Sequence, residues 1–185
     1  MLFTRKTAWI IAGMLLAFTV ALRLEGRLYW GAAGLAFWSE AWTNTTSQNL
    51  GDPYSLSHFL HGVIFFWFLR GVAPKTPLSA RLVVAVALEM AWELLENSPM
   101  VIERYRRTAS LDYSGDTILN SVGDTLSMAL GFYFASRFDW KASVAVFIAF
   151  ELLGLYLARD NLTLNVIMLI YPLEAIKEWQ LARVP

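Results

Sequence analysis

The sequence predicts an all-α fold, a polytopic membrane helix bundle of about six transmembrane helices plus a short interfacial helix. Three observations predict it. The chain is 57% hydrophobic and only 16% charged, whereas soluble domains run near a quarter charged. Six apolar stretches approach the roughly 20 residues that a spanning helix needs. A segment rich in Trp and Tyr follows the first of them, and such residues favour the membrane–water interface.

The first stretch, Ala8 to Leu24, follows Arg5 and Lys6. The sequence Arg23-Leu24-Glu25-Gly26-Arg27 is a poor signal-peptidase site, so an uncleaved first helix is expected. Leu56–Ala73 and Leu78–Leu95 come next, separated by Pro74, Lys75 and Pro77. Asp116–Phe138 and Ala142–Ala158 are separated by Asp139, Trp140 and Lys141, and Leu162–Ile176 is the sixth. Short connections imply antiparallel neighbours. The 26–54 segment interleaves Leu28-Tyr29-Trp30, Phe37-Trp38 and Trp42 with small residues, so part of it is expected as a short surface helix on the outer side. The 185 residues read as a single membrane domain.

Nine Lys and Arg fall on one side of that topology (Arg5, Lys6, Arg70, Lys75, Arg81, Arg137, Lys141, Lys177 and Arg183) against six on the other. Lys and Arg favour the cytoplasmic side. The expectation is a multi-pass protein of the bacterial cell inner membrane with both termini cytoplasmic. Basic and acidic residues balance at 15 each, so net charge makes no case for nucleic acid. The absence of cysteine excludes disulfides, thiolate metal sites and a Cys nucleophile.

Glu89, Glu93 and Glu96 are spaced i, i+4, i+7, within about 60° of one another on a helix. Each costs about 2.5–3.5 kcal/mol at a bilayer centre, against about 0.3–0.6 gained per Leu or Val. This face must therefore meet partners rather than lipid. Asp116, Asn120, Gly123, Asp124, Ser127 and Gly131 make a second polar and small-residue stripe, expected to pack on the first. Asp116 also suits an N-cap, whereas Asp124 is too deep to cap. Asp116 and Asp124 lie about 12 Å apart by helical rise, so they cannot form a carboxylate dyad together.

His58 and His61, at i, i+3, share a face and could bind metal with carboxylates from other helices, or hydrogen-bond to those carboxylates. No compact motif such as HExxH accompanies them, and no metal site is assigned. The loop after the third helix carries Arg104, Arg106 and Arg107, suited either to bidentate capture of an anion or to headgroup anchoring.

The order of these residues resembles the VanZ-like membrane proteins. Asp52 and His58 open one helix, Glu96 and Asn97 end the next, Arg104 to Arg107 follow, and Asp112, Asp116, Asn120 and Gly123 open a further helix. The chain has Asn97 where Gln is common, a second His and an extra Asp124. WELLENSPMVIERYR followed by DYSGDTILNSVGD resembles still more closely a bacterial family of uncharacterised integral membrane proteins of about this length. The VanZ-like resemblance implies a link to envelope lipids.

These readings converge on an envelope enzyme acting at the outer face on a lipid-linked or anionic substrate. Glu96, His58, Asp112 and Asp116 are the catalytic candidates. Arg104, Arg106, Arg107, Asp52, Asn97, Asn120 and Asp124 are the binding candidates. The alternative is a non-catalytic binding, transport or membrane-complex protein using the same polar cluster. The expected partner is a membrane lipid or lipid-linked molecule; cofactor and oligomeric state are not set.

Overall fold

A computed structural model describes residues 4–32, 34–108, 110 and 113–182. Among them are eight α-helices and no strand: α1 (Arg5–Leu24), α2 (Ser55–Val72), α3 (Leu78–Glu96), α4 (Pro99–Arg106), α5 (Ile118–Arg137), α6 (Trp140–Ala158), α7 (Leu162–Ile170) and α8 (Glu174–Leu181). Five of the expected apolar stretches are helices of 18 to 20 residues: α1, α2, α3, α5 and α6. Of these, α1 and α6 are long and apolar enough to cross a membrane.

The helices start where side-chain oxygens can take up free backbone N–H groups. Thr4, Ser98, Thr117, Asp139 and Asn161 each accept from the residue three positions on. Thr117, not Asp116, is therefore the cap of α5. The stretch 99–106, expected as a loop, is the helix α4, started by the Ser98 cap and by Pro99 in its first turn.

The closest helix pair is α2 with α5. A Cβ on Gly62 would overlap the Met128 carbonyl, and one on Gly131 would overlap the Phe59 carbonyl. Small residues thus let the two backbones touch. Asp124, Ser127 and Gly131 of the α5 stripe consequently face α2, and Gly123 meets the Leu50 carbonyl; α3 and α5 also pack on each other, with His58 of α2 between their carboxylates. The half of α2, α3 and α5 nearer Arg70 and Arg137 has an apolar core of Phe66, Leu82 and Phe132, which continues through Met128 to Phe18 and Leu22 of α1. The other half of α2, α3 and α5 buries polar groups instead: Glu89, Glu93, Asn97, Asn120, Ser121 and Asp124 are at most 2% exposed.

The outer surface is the reverse. Helix α6 buries only Ser143, Gly154 and Ala158, while Val144, Ile148, Leu152 and Tyr156 are 48–79% exposed. Trp9 and Leu16 of α1 are 79% and 68% exposed.

The 26–54 segment contains no helix among its described residues. Its carbonyls are committed elsewhere: Leu28, Tyr29 and Ser47 accept from the N–H groups of Ile118, Leu119 and Thr117, completing the start of α5. Gly26, Gly34, Trp42 and Ser47 take positive φ angles, which interrupt any helix. Trp38 and Gly51 form an isolated bridge.

The sixth stretch does not form one helix either. Pro172 ends it, because proline lacks an N–H and restricts the residue before it; α7 stops at Ile170 and α8 begins at Glu174. Nine residues rise only about 13 Å, less than half a bilayer core. Helix α7 lies across one end of the bundle. Its start is held by Glu151 of α6, through Leu162 N–H at 2.9 Å. Its end accepts from Arg104 of α4, through the carbonyls of Leu169 and Ile170 at 2.8 and 2.9 Å. Helix α8 returns to the same end, where Arg159 donates to the Trp179 carbonyl and Gln180 donates to the Arg159 carbonyl. Residues 179–180 therefore sit beside Arg159, just past the end of α6.

Candidate functional site

The polar half of the bundle opens into a cavity of about 760 Å³. Three helices supply its ionisable groups because each carries them at one end: α2 at its start, α3 at its finish and α5 at its start. His58, His61, Glu96, Asp116, Asn120 and Asp124 line it. Phe65, Leu88, Trp92, Leu95, Leu162 and Val166 make its apolar flank.

His58 joins the stripes of α3 and α5. Its Nδ1 is 2.6 Å from Glu89 Oε1 and 3.3 Å from Glu93 Oε1, and its Nε2 is 3.9 Å from Asp124 Oδ2. His61 Nδ1 reaches Glu89 Oε2 at 3.0 Å. Two imidazoles therefore share one carboxylate. Glu93 is fully buried and neither of its oxygens has a hydrogen-bond partner; its 3.3 Å approach to His58 is a charge contact only.

Asn97 fastens the end of α3 to the entry of α5. Its Nδ2 donates to Asp116 Oδ2 at 3.0 Å, and its Oδ1 accepts from Asp116 N–H at 2.7 Å. Tyr113 Oη donates to Asp116 Oδ1 at 2.9 Å. Asn120 Nδ2 donates to the Asn49 carbonyl, and Ser55 Oγ donates to Asp124 Oδ1 at 2.7 Å.

Asp52 is 1% exposed and does not line the cavity. It builds the turn into α2, accepting from the N–H groups of Tyr54 at 2.8 Å and Ser47 at 3.0 Å. Burial pushes its carboxyl up from the usual aspartate value, and those two donors pull it back in part.

The arginines are placed differently from the expectation. Arg104 closes the end of α7, Arg106 donates to the Tyr113 carbonyl at 2.6 Å, and Arg107 pairs with Glu103 on the exposed face of α4. None of the three lines the cavity; among the described residues that line it there is no Lys or Arg. Asp112 lies outside the described residues. The structure thus brings together His58, Glu96, Asp116, Asn120 and Asp124 at the cavity, with Asn97 behind them, and leaves Asp52 and the arginines as framework.

Several participants went unnoticed in the sequence. Tyr105 and Tyr113 line the cavity, Tyr105 Oη reaching Asn165 Oδ1 at 3.0 Å. Burial, reinforced by Glu96 beside Tyr105 and Asp116 beside Tyr113, raises both phenols well above their ordinary value and keeps them neutral donors. Asp160, buried between α6 and α7, is pushed by burial up to about 7, against the pull of the Asn161 N–H. Arg27 donates to the Ser114 carbonyl at 2.6 Å and fills the space beside Gly115, whose φ is 90°. The available signal for the tyrosines was their place beside the arginines; for Arg27 and Asp160 no local pattern pointed inward.

Comparison with known proteins gives a family whose function is unknown. A family model described as "Protein of unknown function (DUF2585)" matches residues 22–182. The chain belongs to this family. Its similar relatives are bacterial proteins named only as UPF0314 proteins. One from Brucella anthropi is 46% identical over 175 residues, covering 94% of this chain and 89% of the relative. One from Sphingopyxis alaskensis is 46% identical, covering 95% of each. One from Rhizobium etli strain CIAT 652 is 48% identical, covering 95% of this chain and 92% of the relative. The family match extends through α8. No solved structure matches the chain.

Proposed function

We propose that this is a multi-pass inner-membrane protein whose outward-facing cavity binds a lipid-linked molecule and acts on its polar head group. The observation that carries the reading is the two-sided lining of one cavity. Glu96, Asp116, Asp124 and His58 stand at its polar end, and Phe65, Trp92, Leu95 and Val166 form an apolar flank. A head group and its chain would occupy those two sides respectively.

Membrane placement is supported by an apolar exterior around a polar interior. Contiguous exposed faces such as those of α1 and α6 are unusual on a soluble monomer. In this reading α1, α2, α3, α5 and α6 cross the bilayer as one membrane domain, and α7 and α8 lie over the cavity end. Residues 4–9, 70–81 and 137–141, at the opposite end, hold seven Lys and Arg and one acid, Asp139. The positive-inside rule puts that end, with the N-terminus, in the cytoplasm.

The head-group chemistry falls to Glu96 as general base and Asp116 as the opposing acid, with His58, oriented by Glu89, as the further proton-transfer group. The VanZ-like resemblance supports the same residues and an envelope-lipid substrate. An anion held by Arg104, Arg106 and Arg107 is not part of this proposal, because none of the three lines the cavity. A transport path is disfavoured as well, since Phe66, Leu82 and Phe132 seal the half of the bundle beyond the polar cluster.

The test is mass spectrometry of lipids and lipid-linked precursors in a deletion strain and in a Glu96→Gln strain producing normal amounts of protein. Both are expected to accumulate the same species. Profiles identical to wild type in both would overturn the enzymatic reading.

A further inference from the structure

We propose that His58, His61, Glu89 and Glu93 bind one divalent first-row transition-metal cation of the Zn²⁺ class. The donors come from two facing helices: an i, i+3 pair of imidazoles on α2 and an i, i+4 pair of carboxylates on α3. The donor atoms of His58, His61 and Glu89 all lie within 4.8 Å of one another, and so do those of His58, Glu93 and Glu96. His58 belongs to both groups and is the ligand that links Glu93 to the His61–Glu89 pair.

Three nitrogen–oxygen separations, 2.6, 3.0 and 3.3 Å, link the four side chains. Tetrahedral Zn²⁺ with bonds of about 2.1 Å needs donors about 3.3 Å apart. His58, His61 and Glu89 therefore enclose such an ion after small outward shifts, and Glu93, in reach of His58 but outside that trio, swings inward to complete the set. Chemistry and charge agree. Two imidazoles and two carboxylates form the mixed nitrogen and oxygen set of catalytic zinc-type centres, and two neutral imidazoles with two carboxylates carry the charge that one dication cancels.

Glu93 supplies the independent indication. It is 0% exposed, its oxygens lack any hydrogen-bond partner, and it sits 3.3 Å from an imidazole already engaged by Glu89. A buried carboxylate without donors is costly unless a cation meets it. With the ion in place His58 is a ligand, and proton transfer at the cavity falls to Glu96. As a cofactor for head-group chemistry the ion rests on the function proposed above; as a bound ion it does not.

The experiment uses the full chain purified in detergent, without added metal or chelator. Metal per chain is counted by mass spectrometry. Chelator-stripped protein is then titrated with Co²⁺, whose visible absorption reports the ligand field. One ion per chain is expected, with Co²⁺ bands and X-ray absorption showing histidine nitrogen and oxygen ligands. Glu93→Gln and His61→Gln should each weaken Co²⁺ binding at least tenfold, while the exposed Glu103→Gln binds as the wild type does. Wild-type protein with neither metal nor Co²⁺ bands, or a bound ion without histidine ligation, overturns the site even if the variants misfold. Bound metal alongside unchanged lipid profiles would sink the enzymatic reading and leave the ion; changed profiles without metal would do the reverse.

Discussion

The two halves of α2, α3 and α5 are built from the same helices and held by different forces. In the half near Arg70 and Arg137, Phe66, Leu82 and Phe132 interlock without polar groups. In the other half, Asn97, Asp116, Ser55 and Asp124 are joined by hydrogen bonds. The first half has one way to be satisfied, close packing. The second has a cavity and several ionisable groups, so its arrangement answers to protons, ions and ligands. One half is a clamp and the other is a site.

Mutations can separate the two. Phe132→Ala opens a hole in the clamp and is expected to cost about 3–5 kcal/mol of stability. Thermal unfolding in detergent should show the loss, while function per folded molecule stays near wild type. An equal loss of both would blur the division. Asn97→Ala strands the Asp116 N–H and Oδ2 and should cost about 1–3 kcal/mol. Its effect on function should exceed its effect on protein level, because Asp116 is then free to leave the cavity.

Asp160 gives a pH signature of the site half. Its carboxyl, raised by burial from 3.8 to about 7, keeps a proton in the folded chain that the unfolded chain releases. That contribution is fully present below the ordinary aspartate value. It is lost as pH rises towards 7 and is flat above it. The difference in melting temperature between wild type and Asp160→Asn should therefore move against wild type between pH 4 and 7. A pH-independent difference would remove Asp160 from the titrating set. The smallest effect is expected on the exposed face of α4, where Arg107→Ala breaks an i, i+4 pair worth about 0.5 kcal/mol or less.

The clamp was easier to read from sequence than the site. Apolar runs bounded by prolines and charges located five long helices to within a few residues, because burial in a bundle and burial in lipid both demand that composition. The Glu89–Glu93–Glu96 stripe was equally visible, since helical spacing alone puts those residues on one face. Which helix that face meets was not. Spacing sets directions within a helix but not rotation between helices, and it was the glycine contacts at Gly62 and Gly131 that turned α5 towards α2 and left His58 as the link to α3. The arginines misled because clustered guanidinium groups suggest an anion site, while Arg104 serves the carbonyls at the end of α7, Arg106 the Tyr113 carbonyl and Arg107 the Glu103 carboxylate. Pro172 was a readable stop signal inside a run whose hydrophobicity suggested a sixth span. The carbonyls of Leu28, Tyr29 and Ser47 cap α5 through backbone atoms, which no side-chain pattern announces.

The central claim is an inside-out bundle crossing the bilayer five times, with α7 and α8 on the cavity side. The chain contains no cysteine, so single cysteines at Lys75, Asp139, Glu103 and Glu178 can be labelled in intact cells with a membrane-impermeant maleimide. Positions 103 and 178 are expected to react in intact cells, and positions 75 and 139 only after the membrane is opened. Protection of 178 together with 75 would restore a sixth crossing and contradict the account, as would equal labelling of all four.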